Sequence, residues 1–166
     1  MQPIFCGGIT IPSRKKESIR LIKKAEAGIE YFTSQVIYES ENINKMLSHY
    51  QKACDESSTF PRRILFNFAP ISSKKNLDFL KWLGVKIPAE TETYLMENPT
   101  LTATRSIEIS IQILQDILNH IKENNLKIPI GLNVEHIMSY NFQHSIKMLQ
   151  ELSKVYRKFC IESTIY

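Results

Sequence analysis

The sequence predicts an α/β protein built around a parallel sheet, and three observations predict it. β-type and helix-type segments alternate along the chain. The β-type segments are continuous apolar or β-branched runs rather than strict apolar/polar alternations, which is the pattern of strands covered on both faces. Four of the segments end at a Gly or Pro that can stop them, Pro12, Gly28, Pro70 and Gly84. Four strands and at least four helices result, within a single domain spanning residues 1–166.

The first strand is read at Ile4 to Ile11 as a buried run stopped by Pro12. Glu17 to Ala27 follows as a helix with Ile19, Leu21 and Ile22 as its apolar positions, and Gly28 is placed to end it. Glu30 to Ile37 is rich in aromatic and β-branched residues and predicts strand two; Ser40 is a candidate cap for a helix reaching about Cys54. Arg63 to Ala69 forms strand three, ended by Pro70. Ser72 or Ser73 then caps a helix carrying Leu77, Leu80, Trp82 and Leu83, with Gly84 as its stop. On this pattern Trp82 is a core residue. Helices are expected near Ala89 to Met96 and over Thr104 to Asn124, the latter with a stripe of Ile107, Ile111, Leu114, Leu118 and Ile121. Ile128 to Val134 is strand four, and Asn141 to Lys158 a last helix with Ile146, Leu149 and Leu152 facing inward.

Composition narrows the function classes. An apolar fraction of 43% with 23% charged residues is that of a globular chain. No apolar run approaches the ~18 residues of a membrane span, and the first residues lack the basic start and apolar core of a signal peptide, so the expected address is the cytoplasm and no membrane partner is expected. Three cysteines, Cys6, Cys54 and Cys160, stand far apart without a C-x-x-C, which reads as reduced thiols. The net charge of +4 is spread along helices among Glu and Asp, so a nucleic-acid partner is not expected. One stretch is denser: Arg14, Lys15, Lys16, Arg20, Lys23 and Lys24 place six of the 21 basic residues within eleven positions. That density suits a phosphate or a polyglutamate tail, and equally a solvated helix face. Gly7-Gly8 is not a dinucleotide-binding turn, no phosphate-binding loop occurs, and the four histidines do not have metal-ligand spacing.

In parallel α/β sheets ligands sit at the carboxyl ends of the strands. The polar residues there are Thr10, Gln35, Asn67, Asn133 and Glu135. Each is a candidate for ligand contact, or for capping a helix and bonding loop backbone.

Several strings occur in a familiar order: Gly7-Gly8-Ile9-Thr10-Ile11-Pro12, Lys23-Lys24-Ala25-Glu26-Ala27-Gly28 running on to Thr33-Ser34-Gln35, Phe68-Ala69-Pro70, Phe79-Leu80-Lys81-Trp82-Leu83-Gly84, and Gly131-Leu132-Asn133-Val134-Glu135. Together, over about residues 4 to 155, they resemble the later strands of methylenetetrahydrofolate reductases, most closely a divergent, non-classical branch. The resemblance implies the C-terminal half of a (βα)8 TIM barrel. It implies a methylenetetrahydrofolate reductase-like oxidoreductase of one-carbon metabolism, which reduces 5,10-methylenetetrahydrofolate to 5-methyltetrahydrofolate with NAD(P)H and, in the family, FAD. By position Gln35 resembles the family's folate-contacting glutamine, with Asn76 and Asn133 as further folate contacts. Glu17, Arg20, Lys23 and Lys24 fall where the family holds the flavin's phosphates.

The departures are specific. Where the family reads Pro-Glu-x-His, this chain has Pro12-Ser13-Arg14, and where an arginine follows the last-strand asparagine it has Val134-Glu135. The family's catalytic glutamate and the aspartate beside the flavin belong to the first four strands, so no catalytic residue is assigned. A half barrel exposes two strand edges, so a second copy or an amino-terminal half-barrel partner is expected. Two function readings follow: half of an enzyme, or a folate-binding remnant without turnover.

Overall fold

The computed structural model describes residues 4–163. Along the chain run β1 (Gly7–Thr10), α1 (Glu17–Glu26), β2 (Tyr31–Val36), α2 (Glu41–Glu56), β3 (Arg63–Phe68), α3 (Lys74–Trp82), α4 (Ala89–Met96), α5 (Thr102–Glu123), β4 (Ile130–Val134), a short 3-10 turn (Ser139–Asn141) and α6 (Phe142–Ser163). The strands form one parallel sheet in the order β1-β2-β3-β4. A sheet whose order follows the chain without reversal is an arc of a barrel; an open doubly wound sheet reverses at a switch point. The expected α/β class and half-barrel arrangement are what the structure holds.

Alternation along the strands sets two faces. Phe32, Ile64, Phe66, Phe68 and Ile130 point toward the helices, where they pack with Leu21, Leu47, Tyr50, Leu114, Ile117, Met148 and Leu152 in the main core. Burying such side chains contributes roughly 1.5–3 kcal/mol each. The opposite face is the concave side of the arc. It carries Leu65 beside Gly131, where a Cβ would lie 2.6 Å from Leu65 Cδ2, so a larger residue at 131 would displace that contact.

Between β3 and β4 the chain makes an excursion before the crossover helix α5. Helices α3 and α4 bury Leu77, Leu80 and Leu95 against Val36, Tyr38, Ala69 and Ile71, and so cover the carboxyl ends of β2 and β3 with a second, smaller core. Tyr38 anchors that layer, its hydroxyl donating to the Ala69 carbonyl and lying 3.0 Å from Ser106 Oγ. Gly28 and Gly84 end α1 and α3 in the left-handed region, with φ of 101° and 84°, as the sequence reading requires.

Some expectations are corrected. Strand one is shorter than Ile4 to Ile11 and is not buried: Ile9 is 65% exposed, because β1 has a neighbour only on its β2 side. Trp82 is not core but 78% exposed, stacked on Phe79, since α3 turns its Leu77/Leu80 face inward. On α6 the inward stripe is Ser145, Met148 and Leu152; Ile146 and Leu149 lie one position around the helix, on the exposed side. Ser40 stands at the start of α2 without capping it, its hydroxyl donating instead to Asp116 Oδ2, whereas Ser73 does cap α3 by accepting from the Asn76 amide.

Candidate functional site at the carboxyl end of the sheet

The sheet's irregularity lies where a ligand would sit. Between Thr33 and Val36 the β2–β3 register shifts, and the Asn67 amide, displaced from its regular partner, donates to Ser34 Oγ at 2.9 Å. Gln35 sits in this bulge. Its Oε1 accepts from the Val36 amide at 3.0 Å and its Nε2 donates to the Leu83 carbonyl at 3.3 Å, so the side chain is held at the strand end beneath the close of α3. It remains half-buried, lining a cleft with Pro12, Tyr38, Asn42 and Lys86. With one hydrogen on Nε2 and one lone pair on Oε1 to spare, Gln35 can still donate and accept.

Across β3 and β4 a ladder of amides continues the same end of the sheet. Asn67 and Asn133 are register partners, and Asn133 Nδ2 donates to Asn67 Oδ1 at 3.1 Å. At its other end the Asn67 amide donates from Nδ2 to Glu135 Oε1, an acceptor that sets which way the amide faces. Glu135 continues the backbone ladder one residue beyond β4, its N–H donating to the Phe68 carbonyl at 2.7 Å. By alternation Asn67, Asn133 and Glu135 share the concave face with Leu65 and Gly131. Partial burial pushes the Glu135 carboxyl above the usual glutamate value, and the hydrogen bond from Asn67 partly opposes this.

The other predicted residues are placed differently. Asn76 is fully buried; its Oδ1 accepts from Asn141 Nδ2 at 2.7 Å and from the Ser72 amide at 3.1 Å, tying the loop after β3 to the turn before α6. Glu17 is 2% exposed. It accepts from Thr10 Oγ1 at 3.2 Å and the Ile11 amide at 3.0 Å, with Arg14 Nη1 3.8 Å away, and so clamps the end of β1 to the start of α1. Lys24 donates to the Ile9 carbonyl, while Arg20 and Lys23 are exposed. Two of these four side chains are thus committed to the protein, and the set does not fit a flavin-phosphate cradle. Among the described residues, no three His, Cys, Asp or Glu side chains stand together as metal ligands, and no helix is long and apolar enough to cross a membrane.

Sequence reading singled out Glu135 and Asn67 as strand-end polar residues, yet did not reveal their bond. They are 68 positions apart, and only the parallel pairing of β3 with β4 unites them.

A family model described as methylenetetrahydrofolate reductase matches residues 6–154 of this chain. No curated protein matches it. Among solved structures, one described as an uncharacterized protein from Clostridium thermocellum that binds two copies of 5-methyl-5,6,7,8-tetrahydrofolic acid is similar, with 30% sequence identity and a TM-score of 0.79. The match covers 90% of this chain and 53% of that one, so this chain spans about half the length of that relative.

Proposed function

Because the chain belongs to the methylenetetrahydrofolate reductase family, we propose that it binds a reduced folate at the carboxyl end of its sheet and serves the reduction of 5,10-methylenetetrahydrofolate to 5-methyltetrahydrofolate, with NAD(P)H as hydride source, in the cytoplasm. The observation that carries this reading is Gln35, an amide fixed at the end of β2 with donor and acceptor capacity left over. A pteridine's ring amide presents the complementary pair. Asn133, whose Oδ1 accepts no hydrogen bond among the described residues, is the second proposed folate contact. Asn76 acts from below by fixing the loop after β3.

The chemistry asked of the protein is mainly orientation. Opening the five-membered ring of the substrate leaves an iminium carbon that accepts a hydride, and both steps need the pteridine held against the hydride donor. The rigid sheet end provides that hold. No step is assigned to a flavin, since the residues at α1 do not form its phosphate site.

The open edges of β1 and β4 call for strands from elsewhere, supplied by a first-half barrel or by a second copy. A second reading, folate binding without turnover, is favoured by the similar structure being described only as a binder. An assay of methylenetetrahydrofolate reduction with NADH and with NADPH, on this chain alone and mixed with a separately expressed first half of a family barrel, separates the two. Turnover alone or on mixing supports the enzyme; binding with no turnover in either arm supports the remnant.

A further inference from the structure

The carboxyl of Glu135 is built into the site more firmly than its position in a loop start suggests. Its backbone is locked to β3 through the Phe68 carbonyl. Its Oε1 is held by Asn67 Nδ2, and Asn67 is itself 4% exposed and braced at its other end, where Oδ1 accepts from Asn133 Nδ2. The result is a fixed carboxyl on the concave face, two residues beyond Asn133, with its second oxygen accepting no hydrogen bond among the described residues. Half-burial makes the charged form of such a group costly unless further donors arrive. A buried amide relay that fixes only one oxygen leaves the other to a ligand.

We propose that Glu135 is a specificity-determining acceptor for the exocyclic amino group of the bound pteridine, which its second carboxyl oxygen receives. The proposal rests on the folate reading above and adds the group that recognises the heterocycle's amino substituent. An N–H donated to a carboxylate makes a charge-assisted bond, shorter and stronger than a neutral one. The ligand chemistry is that of a 2-aminopyrimidinone fused to a reduced ring. Asn67 is a positioning residue here, acting through the carboxyl it orients, and Asn133 braces it from Nδ2 while its own Oδ1 stays the folate contact proposed above.

The test is an equilibrium titration of the 166-residue protein with 5-methyltetrahydrofolate and with a 2-desamino analogue, using native protein, Glu135→Gln and Gln35→Ala. The glutamine variant keeps an oxygen for Asn67 but turns the outer atom into a donor facing donors. The expected result is that native protein prefers the amino ligand by about ten-fold or more, and that Glu135→Gln loses this preference while its far-ultraviolet circular dichroism is unchanged. The comparison of the two ligands on native protein stands even if the variant fails to fold. Equal affinity of native protein for both ligands, or native-like binding by Glu135→Gln alongside weakened binding by Gln35→Ala, overturns the role of Glu135 and leaves the folate reading intact. Absence of binding by folded native protein overturns both.

Discussion

Asn133 donates its side-chain amide to Asn67 Oδ1 across the β3–β4 pairing at 3.1 Å, at the carboxyl end of the sheet. The other end of the Asn67 amide, its Nδ2, donates to Glu135, whose carboxylate is an acceptor and so sets which way that amide faces. In physical terms, a register match between two strands becomes a fixed carboxyl.

Replacing Asn67 by Leu should remove that chain of bonds while keeping the strand's burial. Glu135 would lose its donor and Asn133 its acceptor, and the cost of leaving such groups short of partners is about 1–3 kcal/mol. Urea unfolding of Asn67→Leu should show a lower midpoint with an unchanged slope, and a midpoint equal to the native one would mean that the ladder contributes nothing to stability.

The raised pKa of Glu135 makes a signed prediction. A carboxyl that holds its proton more tightly when folded contributes stability fully present below its unfolded pKa, near 4.5, and lost as pH rises through the higher folded value. Glu41 and Glu92 are shifted downward by Lys45 and by Lys81 with Lys74, so they act with the opposite sign, losing their contribution as pH falls below 4.5. The difference in melting temperature between native protein and Glu135→Gln isolates the first effect: native protein should lose stability relative to the variant as pH is raised above 4.5. A difference that stays constant with pH contradicts the assigned environment.

Two neighbours on α3 should respond oppositely to truncation. Leu80 is fully buried in the layer over β2 and β3, so Leu80→Ala should cost about 2–5 kcal/mol. Trp82 is 78% exposed, and Trp82→Ala should change stability by less than about 0.5 kcal/mol. Thermal unfolding of the pair checks both, and a large loss at Trp82 would place it under a contact absent from the monomer.

The edges of β1 and β4 predict assembly. Phe5 and Ile9 are exposed at one edge, at 69% and 65%. Light scattering coupled to size exclusion should find the purified chain at twice its own mass or more, and a stable monomer at high concentration would show that the edges need no cover.

Much of this fold was legible in the sequence because it rests on local rules. Gly28 and Gly84 stop helices for a conformational reason visible in the residue itself. The aromatic and β-branched residues of β2 and the apolar run of β3, alternating with helices, announced parallel strands covered by helices. Trp82, Ile146 and Ile9 were misjudged for a shared reason: an apolar residue on a helix or strand reads as buried until the neighbours of that face are known, and here α3 and α6 turn those side chains outward while β1 is an edge. At the sheet end, the strand-end positions of Gln35 and Asn133 were legible through the carboxyl-end rule, while the folate role proposed for them rests on the matched strings. Glu17 was read as a phosphate neighbour, yet its carboxylate clamps Thr10 and Ile11, since burial is set by how α1 docks on the sheet. The bond between Asn67 and Glu135 required the register of two strands separated by three helices.

A folate site in this half of the barrel, organised by Gln35, is tested by the affinity of the purified protein for 5-methyltetrahydrofolate, compared with that of Gln35→Ala. Saturable binding by the native chain is expected, weakened about ten-fold or more by loss of the Gln35 amide. Undiminished binding by a folded Gln35→Ala protein, or none by folded native protein, would contradict it.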